Sequence, residues 1–367
     1  MNNETRKETQ VLPKDVRCVG ADDLTLSLFE NQYPVQPMGV SYNSYLILDE
    51  KIAVMDSVDA RAADEWLAKL AHELNGRSPD YLVISHMEPD HSGSILRLAE
   101  KYQEMKLVGN TKTFTMLRQF FGAKAPTDDR LLEVGEGETL PLGAHTLHFM
   151  LAPMVHWPEV MVAYEETEKL LFSADAFGRF GALSRTAGAP WAPQARRYYY
   201  NIVGKYGAQV QALLKKASAL EIKTVCPLHG PVLTGEALGE ALRLYDLWSR
   251  WQSESPDDIL LAHASIHGNT ARAAELFKQK LEAKGARVTL CDLTTTEVSY
   301  AVANAFYCGK LVLACSTYDG GLFPPMEEFL SHLQAKGFRD RSVGLMENGS
   351  WAPAAARLMR AKLEEMK

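Results

Sequence analysis

The chain has 367 residues, of which 46% are hydrophobic and 23% are charged, and its formal net charge is −7. A chain of this length exceeds the size at which a single hydrophobic core stops growing, so two domains are expected. The acidic balance disfavours nucleic acid as a partner, and no apolar run is long enough to cross a membrane. Residues 1–6 are too polar for a secretory signal. The five scattered cysteines form no C-x-x-C pair, which predicts reduced thiols and a cytoplasmic location.

The first half of the chain alternates short apolar runs with turn residues. Residues 42–48 and 51–56 predict an antiparallel pair of strands, and a helix with apolar residues at helical spacing follows and ends near Gly76. Several later apolar runs are followed closely by His or Asp. That order is typical of an α/β sandwich whose loops form a site along one rim of its sheets. The later strands are expected at residues 106–109, 146–150, 161–164 and 170–173.

The second half has a different pattern. Residues 252–258 are polar and contain a proline, which predicts a linker and two domains at residues 1–254 and 255–367. Beyond the linker, apolar strands alternate with amphipathic helices, and this alternation predicts a doubly wound parallel sheet. Its strands are expected at residues 259–264, 287–291, 310–315 and 342–346.

Seven potential metal ligands lie in the first half, most of them just after a predicted strand. A lone histidine is more often an ordinary core or surface residue, but this pattern indicates a common site. Four neutral imidazoles and three carboxylates are too many ligands for one ion and suit two divalent cations. The seven residues are His86, Glu88, Asp90, His91, His156, Asp175 and His229.

The ligand types narrow the choice of metal. Zinc sites favour Cys and His, whereas mixed imidazole and carboxylate ligands suit iron and manganese. Residues 86–91 have the sequence H-M-E-P-D-H, where hydrolases of the metallo-β-lactamase superfamily usually have H-x-H-x-D-H. Glu88 therefore stands in place of a histidine, and its hard anionic oxygen stabilises a higher oxidation state. The pattern favours redox chemistry over hydrolysis at zinc.

Three loops at the carboxyl ends of the predicted parallel strands favour a flavin. The first loop precedes a helix, whose N-terminus attracts phosphate, and the absence of G-x-x-x-x-G-K favours a phosphate monoester over a nucleoside triphosphate. Tyr318 and Trp351 could stack on an isoalloxazine ring. Alone, the first loop could be a plain strand-to-helix turn and each aromatic residue could be partial core, but together the loops favour flavin mononucleotide (FMN). The candidate contacts are Ser265, Ile266, His267, Gly268, Asn269, Thr270, Ser316, Thr317, Tyr318, Asp319, Gly320, Asn348, Gly349, Ser350 and Trp351.

Five segments resemble those of flavodiiron proteins, the A-type flavoproteins. They are H-M-E-P-D-H-S-G at 86–93, H-W-P-E at 156–159, D-A-F-G at 175–178, H-G-P at 229–231 and S-I-H-G-N-T at 265–270. The resemblance implies a metallo-β-lactamase-like αββα sandwich carrying two irons, followed by a flavodoxin-like domain carrying FMN. It also implies that Asp175 bridges the two irons. One iron would be held by His86, Glu88 and His156, and the other by Asp90, His91 and His229.

The chain departs from that family in three places. The interval between Asp175 and His229 is somewhat short, and His267 stands where a tyrosine is commoner. The flavodoxin-like part is expected to lack its last strand and helix, which would leave its fourth strand at an exposed edge.

The resemblance also implies an activity. Two ferrous ions and a reduced flavin supply the four electrons that reduce dioxygen to water, and two electrons couple nitric oxide into nitrous oxide. It further implies an electron donor such as rubredoxin or a similar small redox protein, and a head-to-tail homodimer or a dimer of dimers. Two alternatives remain open. One is a zinc-dependent hydrolase of the metallo-β-lactamase superfamily with a flavodoxin-like accessory domain, and the other is an electron-transfer or redox-sensing protein with a structural metal site.

Overall fold

A computed structural model describes residues 12–366, so the polar start at residues 1–6 lies outside the described residues. The chain divides into two compact units. One runs to Ala195 and includes Gln209–Arg243, and the other comprises Arg196–Ala208 and the chain from Leu244 onward. The boundary between residues 254 and 255 that the sequence indicates stays a prediction. Within residues 12–366, no helix is long and apolar enough to cross a bilayer.

The first unit is built on two six-stranded sheets. Its strands are β1 (Val16–Cys18), β2 (Ala21–Asp23), β3 (Leu28–Phe29), β4 (Tyr33–Pro34), β5 (Val40–Tyr42), β6 (Tyr45–Ile47), β7 (Ala53–Met55), β8 (Tyr81–Val83), β9 (Lys106–Gly109), β10 (Leu131–Glu133), β11 (Thr139–Pro141), β12 (Thr146–Leu151), β13 (Met161–Glu165), β14 (Leu170–Phe172), β15 (Thr224–Cys226) and β16 (Leu233–Thr234). One sheet has the order β1-β6-β7-β8-β9-β10, and the other has the order β11-β12-β13-β14-β15-β16. β2 pairs with β5, and β3 pairs with β4.

Twelve α-helices accompany the strands within residues 12–366. They are α1 (Ala63–Leu74), α2 (Pro89–Ser92), α3 (Ile95–Lys101), α4 (Thr111–Phe121), α5 (Leu183–Thr186), α6 (Trp191–Tyr198), α7 (Gly207–Ala217), α8 (Gly235–Ser249), α9 (Asn269–Glu282), α10 (Val298–Tyr307), α11 (Pro324–Ala335) and α12 (Ala355–Glu364). In α1 the residues at helical spacing, Trp66, Leu70 and Leu74, are buried. Asn75 ends α1 in the left-handed conformation, one residue before Gly76.

The two sheets of the first unit pack on one another through a shared apolar core. Met55 and Val83 of one sheet belong to the same buried cluster as Phe149 and Phe172 of the other. Burial of each such side chain contributes roughly 1.5–3 kcal/mol. The antiparallel pair expected at residues 42–56 is confirmed, since β6 pairs with β7. The sandwich expected from the sequence is present.

The second unit contains a parallel sheet. Its strands are β17 (Ser255–Ala264), β18 (Val288–Asp292), β19 (Cys308–Tyr318), β20 (Gly321–Leu322) and β21 (Ser342–Asn348). β17 lies between β18 and β19, β21 pairs with the other side of β19, and all these pairs are parallel. The predicted doubly wound sheet is therefore confirmed. Within the described residues no fifth parallel strand follows β21.

The structure corrects the interpretation of residues 252–258 as a linker. Residues 255–258 belong to β17, and Ser255 pairs with Cys308. The register shifts between Ser255 and Ile259, which accommodates Pro256 because an irregularity tolerates a residue without an N–H group. The polar residues 255–258 therefore form the start of a strand and not a flexible linker.

Candidate metal centre and flavin-binding loops

The motif at residues 86–91 forms a sharp turn between a strand and a short helix. β8 ends at Val83, and His86 and Glu88 lie in the loop that follows. Asp90 and His91 lie in α2, which begins directly after Glu88. Four candidate ligands therefore lie close together in the segment that follows β8.

A buried carboxylate holds the backbone of this loop. Asp56 Oδ1 accepts hydrogen bonds from the N–H groups of Ser85, at 2.7 Å, and His86, at 3.2 Å. Burial raises the pKa of Asp56 to about 6 even though these hydrogen bonds oppose the shift. Because Asp56 lies 29 residues before Ser85, no local pattern in the sequence indicated this role.

The other three candidate ligands come from the second sheet. His156 lies in the turn between β12 and β13, Asp175 follows β14, and His229 follows β15. All three are buried. The two sheets therefore contribute to one site at a common rim.

The first group of ligands converges on two carboxylates. His156 Nε2 lies 3.1 Å from Glu88 Oε2 and 3.1 Å from Asp175 Oδ2. His86 Nε2 lies 3.3 Å from Glu88 Oε2 and 3.6 Å from Asp175 Oδ2. Ligand atoms of these four residues all lie within 4.8 Å of one another, which is close enough to hold one metal ion.

The second group lies beside the first. His91 Nε2 is 3.3 Å from Asp90 Oδ2, and His229 Nε2 is 3.2 Å from the same oxygen. Asp175 directs its other oxygen here, since Oδ1 lies 3.1 Å from His91 Nε2. The structure therefore brings together all seven residues selected from the sequence, with Asp175 between the two groups.

The site is strongly polarised because its charged groups are buried together. Burial lowers the pKa of His156, but hydrogen bonds with Asp175 and Glu88 raise it to about 9. Burial raises the pKa of Glu88, but hydrogen bonds with His156 and His86 lower it to about 2. In the absence of metal, protons balance the carboxylates. Metal ions would replace those protons, because metal ligands bind in the deprotonated form.

The residues fit two metal ions. Asp90 Oδ1 is buried and accepts no hydrogen bond from the described residues. An unsatisfied buried acceptor costs about 1–3 kcal/mol, and a bound cation would offset that cost. Imidazole nitrogens with carboxylate oxygens suit iron or manganese better than zinc.

Sequence reasoning missed one further acid near the site. Glu30 lies in the turn between β3 and β4 and has a backbone φ of 51°. Desolvation by the surrounding protein and the charge of Glu88 raise the pKa of Glu30 to about 7. Its segment carries no metal-binding pattern, so only the tertiary structure associates it with the ligands.

In the second unit, the first candidate flavin loop connects β17 to α9. Gly268 precedes α9 with φ of 82°, and no side chain in the described part of the chain caps this helix end. Ser265 Oγ is buried and has no hydrogen-bond partner within residues 12–366. Free N–H groups at a helix start, together with an unused buried hydroxyl, suit a phosphate group.

Hydrogen bonds join the three candidate loops. Thr270 Oγ1 lies 2.8 Å from Ser316 Oγ, and Asn348 Nδ2 donates to Thr270 Oγ1 at 3.3 Å. Thr317 Oγ1 accepts from the N–H groups of Ala354 and Ala355, at 2.9 and 3.2 Å. The Thr317 hydroxyl therefore orders the chain after the third loop.

The remaining candidate contacts lie around this junction. Tyr318 and Trp351 are 44% and 70% exposed, so both rings are free to stack on a planar ligand. Ile266 is 38% exposed. Asp319 and Gly320 adopt positive φ values of 48° and 73° at the turn after β19. The other predicted positions in these loops are His267, Asn269, Gly349 and Ser350.

Comparisons with known proteins agree with this arrangement. Residues 40–230 match the model of the family described as ODP family beta lactamase. Rubredoxin-oxygen oxidoreductase of Megalodesulfovibrio gigas is 27% identical over 95% of this chain and 87% of its own length. Nitric oxide reductase of Moorella thermoacetica is 26% identical over 95% and 88%. The flavodiiron protein of Giardia intestinalis is structurally similar, with a TM-score of 0.89, 27% identity and coverage of 96% and 87%.

Proposed function

This chain belongs to the ODP family of β-lactamase-like proteins and is a flavodiiron protein, and we propose that its seven converging side chains hold the two iron ions. It is an oxidoreductase that uses a di-iron centre and FMN to reduce dioxygen, nitric oxide or both. The single observation that carries the site assignment is the position of Asp175, whose two oxygens face different groups of imidazoles.

Each metal has a ligand set in this proposal. One iron would be held by His86, Glu88 and His156, the other would be held by Asp90, His91 and His229, and Asp175 would contribute an oxygen to each. The grouping is supported by Nε2-to-oxygen distances of 3.1–3.6 Å within the first set. When bound, the irons supply electrons and Lewis acidity to the gas molecule, and FMN replenishes the electrons.

The chain's own residues prepare the site for this chemistry. The four imidazoles present Nε2 to the centre, while their burial excludes bulk water. Glu88 supplies an anionic oxygen where zinc hydrolases of the superfamily usually have a histidine. In the second unit, Ser265 and the start of α9 would bind the flavin phosphate, and Tyr318 and Trp351 would stack on its ring.

Electrons reach the protein from a redox partner. We propose a small carrier such as rubredoxin, for which the Megalodesulfovibrio gigas relative is named. Head-to-tail association of two copies, or of two such dimers, is also proposed. Cys226, Cys291, Cys308 and Cys315 are buried thiols, which supports a reducing compartment such as the cytoplasm.

Metal and flavin analysis tests this function. The purified protein should contain iron at about two per chain and show the visible spectrum of bound flavin. Zinc without flavin would instead support a hydrolase of the same superfamily. An anaerobic stopped-flow comparison of the reduced protein with dioxygen and nitric oxide then determines which gas reacts faster.

A further inference from the structure

Three of the four imidazoles at the metal centre differ in what their outer nitrogen, Nδ1, contacts. His86 Nδ1 lies 2.7 Å from the carboxylate of Glu159, whereas His229 Nδ1 lies 2.7 Å from the main-chain oxygen of Ser41. His91 Nδ1 is buried and has no hydrogen-bond partner among the residues that the structure describes. At the first metal position the outer nitrogen of His86 therefore contacts a charged acceptor. At the second position the outer nitrogen of His229 contacts a neutral acceptor.

Glu159 is held in place from several directions. Its side chain is buried at 1% exposure, and Oε1 also accepts the N–H group of Met87 at 2.8 Å. Asn110 Nδ2 donates to the Glu159 main-chain oxygen at 2.6 Å. Glu159 is the last residue of the H-W-P-E segment, and it is not among the candidate metal ligands.

A buried carboxylate that interacts with the charge of His91, Asp56, behaves differently from Glu159. Asp56 Oδ1 accepts the N–H groups of Ser85 and His86, and within residues 12–366 no hydrogen bond joins Asp56 to an imidazole. Of the Nδ1 atoms of His86, His91 and His229, only that of His86 is hydrogen-bonded to a carboxylate among the described residues. Such a bond fixes the ring with its proton on Nδ1 and increases the basicity of Nε2 toward a metal.

We propose that Glu159 is a positioning residue that makes the two metal positions unequal. By orienting His86 and adding negative charge behind it, Glu159 strengthens metal binding at the position of His86, Glu88 and His156. It also lowers the reduction potential of the iron there relative to the position of Asp90, His91 and His229. This inference rests on the proposed di-iron function.

The chain offers a matched control for this contact. Glu165 is fully buried, and its Oε1 lies 3.0 Å from His145 Nδ1 and accepts the N–H group of Thr167 at 2.8 Å. It lies at the end of β13 opposite to the turn that contains His156. Glu165→Gln therefore removes a similar buried charge without touching a candidate ligand.

The experiment compares wild type, Glu159→Gln and Glu165→Gln after loading with iron. Each protein is challenged with increasing chelator, and both retained iron and midpoint potentials are measured. Loss of such a partner typically weakens metal binding about 10–100-fold, so Glu159→Gln should fall to about one iron per chain while wild type retains two. Its lower midpoint potential should rise, and Glu165→Gln should match wild type.

A second measurement uses wild type alone and so does not depend on the folding of a variant. Stepwise loading with ⁵⁷Fe, followed by Mössbauer spectroscopy, should show one position filling before the other. Equal filling in wild type, or loss of both irons together in Glu159→Gln, would overturn the inference while leaving the di-iron function intact. Failure of wild type to bind iron at all would overturn both.

Discussion

His91 Nε2 and His229 Nε2 lie 3.1 Å apart, although the two residues are separated by 138 positions in the sequence. Both nitrogens also lie near Asp90 Oδ2, at 3.3 and 3.2 Å. Two imidazole lone pairs that face one another repel unless a proton or a cation lies between them. In the proposed function, that cation is the iron assigned to Asp90, His91 and His229.

Asp175 is the residue whose loss should damage both metal positions. Asp175→Ala removes the oxygens that lie 3.1 Å from His156 Nε2 and from His91 Nε2. We expect iron content to fall to a small fraction of wild type and gas consumption to stop. Atomic absorption and an oxygen electrode measure the two effects. Asp246→Ala, which breaks an exposed ion pair with Arg250, is the control and should retain both properties. Full activity in Asp175→Ala would refute the bridging role.

Glu88 should determine which metal is preferred. Glu88→His restores the ligand that zinc hydrolases of the superfamily usually have at this position, so we expect zinc to compete better and iron chemistry to weaken. Equimolar iron and zinc are offered to the unfolded or metal-free protein, and the bound metals are counted. Glu88→Gln separates the loss of charge from the gain of an imidazole. An unchanged ratio of iron to zinc in Glu88→His would contradict the role given to this residue.

The sequence indicated the candidate ligands most directly where a strand leads straight into them. His86, Glu88, Asp90 and His91 lie in one six-residue stretch shortly after β8, and a local pattern is sufficient to find them. His229 likewise lies just after the end of β15 in the sequence. Such positions follow from alternating strands and loops, because the ends of neighbouring strands meet at one rim of a sheet.

Residues that act across the fold were not predictable in this way. Asp56 holds the turn after β8 from another strand end, and Glu30 comes from an irregular segment with no metal-binding motif. The extension of β17 to Ser255 was also missed, because Pro256 and its acidic neighbours are unusual in a strand. In each case tertiary contacts outweigh local preference.

Trp351 should contribute to flavin retention without affecting the metals. Its ring is 70% exposed in the loop after β21, so Trp351→Ala removes stacking surface without opening the core. Aromatic stacking contributes about 0.5–1.5 kcal/mol, which corresponds to a loss of roughly 2–10-fold in FMN affinity. Fluorescence titration of the flavin-free protein measures the affinity. Leu276→Ala, at an exposed position on α9, is the control. Equal FMN affinity in Trp351→Ala and wild type would exclude the stacking contact.

Metal-free protein should lose stability at high pH. The pKa of His156 in the folded protein is raised from 6.5 to about 9, because hydrogen bonds with Asp175 and Glu88 outweigh the effect of burial. A raised pKa means that the charged imidazole stabilises the folded state below about pH 6.5, and that this contribution is lost as the pH rises through about 9. The pKa of Glu88 is lowered to about 2, so this residue has the opposite pH dependence. Its carboxylate stabilises the folded state above about pH 4.5, and this stabilisation is lost as the pH falls through about 2.

Thermal unfolding from pH 6 to pH 10 tests this dependence, with chelator for the metal-free protein and with saturating iron for the loaded protein. The Tm of the metal-free protein should decrease over this interval, whereas the loaded protein should change less because metal replaces the titrating protons. His156→Gln cannot be protonated, so its metal-free form should show a flatter profile than wild type. His148→Gln, which alters an exposed histidine on β12, should keep the wild-type slope. A metal-free wild type that is equally stable at both ends of the range would contradict the assignment of these protons to the centre.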